Sequence, residues 1–342
     1  MIEALVLMSA DDPDAKWFQN AISSDPLINK QAHLAFSSPE LASKYVEAAE
    51  VVACGAFPPN FIDRAQSLNW ISFWSAGLDG KAHPALIERG IQLTSANGVH
   101  VPNIAEHVLM FMLMFTRRMN FYMRNKSWER IPTSFGSSPP GSPNQGLRIP
   151  SSGSPGELMG QTLCIVGLGR IGEALTTRAQ AMGMRVIGIK RDPSSRYNVE
   201  VIPDELHGPD QLPFALSNAD HVCLSLPVTP NTYHKFDSKM LGYMKPTAYL
   251  YNISRGSVVD EESLIKALQE RSIAGAGLDV FEMEPLPASS PLWSMDNVLI
   301  TPHVAGMTPF YFKRAAALFA KNLRRYMNGE ALQNLYQPIR GY

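Results

Sequence analysis

Three glycines, Gly167, Gly169 and Gly172, stand in the spacing G-x-G-x-x-G, after the apolar run LCIV and at the start of a segment able to form a helix. In that context the residue types have a specific use: Gly167 permits a tight turn, Gly169 lets a pyrophosphate approach the main chain, and Gly172 lets helix and strand pack closely. The helix start adds amide donors and a favourable dipole for the anion. The chemistry implied is dinucleotide binding, with a plain structural turn as the alternative. The next apolar run, MRVIGI, ends at Lys190 and Arg191, and its end should lie beside the adenosine ribose. An acidic residue usually occupies this place, about 20 residues past the glycines, in enzymes that use NAD. A carboxylate would repel a 2′-phosphate, whereas Lys and Arg attract it. The pair therefore favours NADP, with NAD possible. The alternative is two solvated strand-end cations with Asp192 left to contact the ribose.

These residues need strands that end at one edge of a sheet, and the sequence supplies them. The first hundred residues alternate short apolar runs (ALVLM, HLAFS, VVACGAF, LNWISFW, IQLTSA) with polar segments, one of which, 39–50, reads as a helix. This is the rhythm of an α/β structure with parallel sheets. Residues 104–118, IAEHVLMFMLMFTRR, are apolar, helix-forming and closed by arginines, as expected of a buried helix. Between 131 and 156 the composition changes to Pro, Ser and Gly, which reads as an exposed flexible insertion. A second α/β series follows: LCIVG, MRVIGI, HVCLSL, AYLYNIS, GAGLDV and VLITP.

The bulk properties restrict the function classes. With 342 residues, 45% hydrophobic and 18% charged, the chain has room for two globular domains. A net charge of -1 gives no footprint for nucleic acid. Cys54, Cys164 and Cys223 are scattered among apolar neighbours and read as buried strand thiols suited to a reducing compartment. The longest apolar run, VLMFMLMF at 108–115, falls short of the ~20 residues that span a bilayer. The N-terminus MIEALVLMSADD lacks a basic region and a cleavage pattern, so it reads as a strand rather than a signal peptide. A cytoplasmic location is the default expectation, with no membrane partner.

Downstream of the glycines the motifs accumulate: NISRGSVVD at 252–260, GLDVFEMEP at 277–285, SPLW at 290–293 and TPHVAG at 301–306. Upstream stand SAGLD at 75–79 and NGVHVPNIAEHVL at 97–109; Gly341 and Tyr342 end the chain. Together they resemble the D-isomer-specific 2-hydroxyacid dehydrogenases of the glyoxylate/hydroxypyruvate reductase type, over nearly the whole chain. The resemblance implies two Rossmann-like α/β domains with doubly wound parallel sheets. A dinucleotide domain at 104–303 would be inserted into a flavodoxin-like substrate domain made of 1–103 and 304–342. It also implies a homodimer.

The same resemblance assigns chemical roles for the NADPH-dependent reduction of a small 2-keto acid to a D-2-hydroxy acid. Such a reaction needs a hydride donor, a proton donor to the forming alkoxide and a cation to hold the carboxylate. His303 fits the acid/base, since imidazole gives and regains a proton near neutral pH. Glu284 would orient the ring and favour imidazolium, and Arg255 would grip substrate oxygens. Arg170 and Ile171 would sit at the pyrophosphate turn. Leu226, Pro227, Thr232, Ile253 and Ser254 would border the nucleotide, and Asp279 would bind the nicotinamide carboxamide. The main chain of Ser75, Ala76, Gly77 and Leu78 would form an anion-binding loop for the substrate carboxylate. Trp293 would wall the substrate pocket, unless it is a core residue. His100, Glu106 and His107 do not have a metal-ligand spacing, so no metal is expected. A non-catalytic, corepressor-like dinucleotide sensor is the rival from another class. Formate dehydrogenase is the rival enzyme, disfavoured because Glu284 stands where that pattern has Gln.

Overall fold

The computed structural model describes residues 1–78, 80–124, 155–193 and 201–338. Asp79, most of the 131–156 segment, Gly341 and Tyr342 lie outside the described residues. The chain divides into two units, Met1–His100 with Met307–Tyr342, and Val101–Gly306.

The apolar runs Val51–Cys54, Thr162–Val166, His221–Leu224 and Gly275–Leu278 are buried along their whole length, the condition under which a parallel strand loses its alternation. The first unit carries β1 (Ile2–Val6), α1 (Ala15–Ser23), α2 (Pro26–Gln31), β2 (Ala32–Phe36), β3 (Val51–Cys54), β4 (Trp70–Phe73), α3 (Pro84–Glu88) and β5 (Gln92–Thr94). Its sheet is parallel in the order β2-β1-β3-β4-β5, the flavodoxin-like arrangement. The helix expected at 39–50 does not form: only a single 3-10 turn, Ala42–Lys44, appears. Ala42, Val46 and Ala49 still pack into the core, so the apolar spacing was real although the helix was not.

The second unit begins with α4 (Val101–Thr116) and α5 (Met119–Arg124), then β6 (Thr162–Val166), α6 (Arg170–Ala181), β7 (Arg185–Ile189), β8 (Glu205–His207) and α7 (Leu212–Asn218). It continues with β9 (His221–Leu224), α8 (Ser238–Leu241), β10 (Tyr249–Asn252), α9 (Glu261–Gln269), β11 (Gly275–Leu278) and β12 (Val298–Ile300). Its sheet runs β12-β11-β10-β9-β6-β7-β8, with every pairing parallel. The chain winds outward from β6 in one direction and then from β9 in the other, a doubly wound Rossmann-like sheet whose order reverses between β6 and β9. Ile104, Val108, Phe111 and Phe115 of α4, with Leu175 and Ala179 of α6, cover one face; Leu216 of α7 and Leu264 and Leu268 of α9 cover the other. The arginines expected inside α4 follow its end, where Arg118 turns to φ +57°. Asp260 starts α9 by accepting the Ser263 amide, with Glu261 and Glu262 in the first turn, which suits the positive end of the helix.

The chain then returns to the first unit as α10 (Tyr311–Met327). Ala316, Phe319 and Leu323 bury against Phe18 of α1 and Trp70 of β4, with the Phe319 and Trp70 rings stacked at 5.5 Å. Cys54, Cys164 and Cys223 are buried free thiols in β3, β6 and β9. No described helix is long and apolar enough to cross a membrane.

Candidate active site

In open α/β sheets, ligands bind beyond the strand C-termini where the winding reverses. The glycine turn stands there, between β6 and α6. Gly167 has φ +96°, and a Cβ on it would lie 2.4 Å from the Ser225 carbonyl oxygen, so only glycine fits. A Cβ on Gly172 would press to 3.0 Å from Ile165, the close packing of helix on strand. Gly169 differs: nothing lies within 4 Å of its Cβ position, so the space over it is open. Arg170 and Ile171 begin α6. On the other side of the reversal, Leu226 and Pro227 follow β9. Thr232 closes their loop, donating to the Pro227 carbonyl at 2.7 Å and accepting from the Thr229 amide at 2.7 Å. These residues fit a dinucleotide.

The turn is tied to the neighbouring strand end. The Ile189 carbonyl, last in β7, accepts from both the Gly167 and Leu168 amides at 3.0 and 2.9 Å. Lys190 is the next residue and Arg191 follows, exposed. Their position beside the glycine turn thus follows from main-chain bonds.

A second group gathers at the ends of β10, β11 and β12. His303 Nδ1 lies 2.7 Å from Glu284 Oε2, and Glu284 Oε1 accepts the Phe281 amide at 3.1 Å. Because the carboxylate only accepts, Nδ1 carries the proton, and Nε2 is the other nitrogen of a half-exposed ring. His303 holds φ +54°, a conformation that side chains with a Cβ adopt rarely and that surrounding bonds must enforce. Its amide donates to the Asp279 carbonyl at 2.8 Å.

Asp279 itself is 1% exposed. Its Oδ1 accepts from Thr301 Oγ1 at 2.6 Å and the Val304 amide at 2.9 Å, and its Oδ2 accepts from the Ala305 amide at 2.9 Å. A carboxylate offers about four acceptor sites, so one remains on Oδ2 for a further donor such as a carboxamide. Arg255 follows β10; its Nη1 donates to the Ser254 carbonyl and its own carbonyl accepts from Asn252 Nδ2. Ile253 and Ser254 are buried beside it, with Ser254 Oγ donating to Asn252 Oδ1.

In the first unit, Ser75 through Leu78 follow β4. Ser75 Oγ donates to the Gly77 carbonyl at 2.9 Å, and Lys81 Nζ reaches that same Oγ at 2.8 Å. Ala76 is exposed and Leu78 buried. Trp293 is not a core residue: it is 52% exposed, with its indole N–H donating to the Pro287 carbonyl.

Sequence reasoning passed over two contributors. Lys81 brings a cation to the anion-loop candidate, and its proximity to SAGLD was the available signal. Gly256 is the other: a Cβ there would fall 1.8 Å from the Phe281 carbonyl carbon, so it lets the Glu284 loop press onto the Arg255 segment. The three residues weighed for a metal go separate ways. His100 stacks on Tyr311 at 4.9 Å, Glu106 lies 3.8 Å from Arg178, and His107 reaches Thr301. Among the described residues no group of three or more His, Cys, Asp or Glu could hold a metal ion.

Comparison with known proteins places this arrangement. The model of the D-isomer specific 2-hydroxyacid dehydrogenase NAD-binding domain matches residues 109–305. The chain is 37% identical over 272 residues to a glyoxylate reductase of Thermofilum pendens, covering 79% of this chain and 75% of that one. It is 32% identical over 304 residues to glyoxylate/hydroxypyruvate reductase B of Yersinia pestis, covering 88% of each. Among solved structures, a D-isomer specific 2-hydroxyacid dehydrogenase from Xanthobacter autotrophicus, in complex with NADPH and MES, superposes with a TM-score of 0.77 at 27% identity, over 100% of both chains. This chain therefore belongs to the D-isomer specific 2-hydroxyacid dehydrogenase family and is an NAD(P)-dependent oxidoreductase.

Proposed function

We propose that the protein reduces a small 2-keto acid of the glyoxylate or hydroxypyruvate type to the D-2-hydroxy acid, with NADPH preferred over NADH. The observation that carries the reading is the His303–Glu284 pair at 2.7 Å on a half-exposed ring. Glu284 keeps one proton on Nδ1, and the doubly protonated ring gives its second proton, on Nε2, to the forming alkoxide and later regains one there from solvent. Bound NADPH supplies the hydride. Arg255, permanently charged, holds the substrate carboxylate and polarises the carbonyl, while the main chain of Ser75 to Leu78 adds amide donors to the carboxylate. Trp293 bounds the substrate, and the last acceptor site of Asp279 takes the nicotinamide carboxamide. The cofactor preference rests on Lys190 and Arg191 following the strand end that anchors the glycine turn. The similarity to glyoxylate reductases supports the substrate class and does not favour the dinucleotide sensor.

The test is kcat/KM for NADPH and NADH over a panel of 2-keto acids. We expect glyoxylate or hydroxypyruvate to lead the panel and NADPH to exceed NADH by about 10-fold or more, the scale of one lost charge-assisted contact. No turnover with any keto acid would overturn the reading; an NADH preference would overturn its cofactor half.

A further inference from the structure

The loop that carries His303 is gripped from α4 by two residues that the reaction scheme leaves unused. Asn103 and His107 are four apart on the helix, so their side chains project from one face. Asn103 Nδ2 donates to the Ala305 carbonyl at 2.7 Å. His107 Nε2 lies 2.9 Å from Thr301 Oγ1. Both targets belong to the 301–306 segment, and His303 lies between them.

The direction of the His107 bond follows from counting protons. Thr301 has one hydroxyl proton, and it points to Asp279 Oδ1 at 2.6 Å, where only an acceptor stands. Thr301 Oγ1 must therefore accept from His107, which carries its proton on Nε2. Burial lowers the pKa of His107 and outweighs the opposing pull of Asp279, which keeps the ring neutral and this tautomer in place. The ring is steered further by Phe111, which meets it edge-on with centroids 4.7 Å apart. A chain of donors thus runs from His107 through Thr301 to Asp279. The same carboxylate then accepts the Val304 and Ala305 amides, the two residues directly after His303.

We infer that His107, seconded by Asn103, is a positioning residue: through Thr301 and Asp279 it holds the loop that keeps His303 in its left-handed conformation. The role rests on the proposed function, in which His303 is the acid/base. A left-handed histidine relaxes unless its flanks are fixed, and a reacting group displaced by about 1 Å can cost roughly 100-fold in rate.

The test uses four variants of the full chain in matched pairs. His107→Leu removes the donor and His107→Gln retains one near the Nε2 position; Thr301→Val removes the hydroxyl and Thr301→Ser keeps it. Steady-state kinetics with glyoxylate and NADPH give one readout. Amide hydrogen exchange at Val304 and Ala305 gives another that needs no turnover. We expect His107→Leu and Thr301→Val each to lower kcat about 10- to 100-fold, with KM for NADPH within about threefold. Exchange at the two amides should accelerate about 10-fold or more in both, and His107→Gln and Thr301→Ser should recover most of both losses. The double variant should be no worse than the worse single, because both break one chain. Unchanged exchange, equal behaviour within the matched pairs, or faster exchange without loss of kcat would overturn the inference. Should the wild type reduce no keto acid, the functional reading fails, and the exchange pattern alone decides whether the loop is held this way.

Discussion

Beyond the C-terminal ends of β11 and β12, His303 stands half exposed at φ +54° with Glu284 on Nδ1. At the opposite, N-terminal end of the strands of the same sheet, His221 opens the central strand β9 almost fully buried, with its ring stacked near Tyr249 and Tyr251. Both rings give one N–H to an oxygen that only accepts. For His221 this is Gln161 Oε1, 2.6 Å from Nε2; Gln161 Nε2 already donates to the Glu157 carbonyl, which fixes the amide orientation. The second nitrogen separates them. In His221 it accepts the Tyr251 hydroxyl at 2.8 Å, so both nitrogens are held inside the protein, and burial lowers the pKa to about 4. In His303 it belongs to a ring that solvent reaches. Residue type is shared; the fate of the second nitrogen decides between chemistry and packing.

Three substitutions would break or sharpen that contrast. The largest effect is expected from His303→Asn, which should lower kcat on glyoxylate on the order of 1000-fold, within the range for loss of a general acid. NADPH affinity, followed by nicotinamide fluorescence, should stay within about threefold, because the nucleotide contacts proposed above are made by other side chains. Near-normal turnover would make His303 as structural as His221. Arg191→Ala comes next, raising KM for NADPH about 10-fold and that for NADH little, as expected when a phosphate loses a charged partner. Equal changes for both cofactors would return the two cations to the solvated surface.

His221→Leu should leave kcat unchanged and act on stability alone. A neutral buried histidine with a lowered folded pKa means that the unfolded chain binds more protons below about 6.5. The His221 contribution is therefore fully present above that pH. As pH falls from about 6.5 towards 4 it declines, by up to roughly 1.4 kcal/mol per unit. The variant should lose this slope in urea titrations at pH 7 and 5. It should also be less stable at pH 7 by about 1–3 kcal/mol, because the Tyr251 hydroxyl and the Gln161 oxygen lose their buried partner. A fall in kcat, or an unchanged slope, would refute the contrast between the two ends of the strands.

The α/β class and the glycine turn were legible because they are local: apolar runs, glycine spacing and strand ends are written in consecutive residues, whereas the double winding, a matter of strand order, came only with the family resemblance. The β8 strand was not, since Glu205–His207 pairs at the sheet edge with a half-buried polar sequence that has no apolar run. The 39–50 segment kept its apolar spacing without forming a helix. Within the site, the candidate residues could be named but their couplings could not. His107 meets Thr301 across 194 residues, and Gly256 meets Phe281 only because two loops converge. Such pairings follow from the folded arrangement, not from any spacing along the chain. Asn103 and His107, polar residues four apart in a mostly apolar helix, were the visible trace.

The Ile189 carbonyl holds the glycine turn with main-chain atoms only. The identities of residues 190 and 191 are therefore free to vary without loosening that anchor. Under the proposed reading, gripping a dinucleotide and choosing between its two forms are separable inheritances. On that reading, exchanging the cofactor would be a matter of repainting two neighbouring side chains on an unchanged frame.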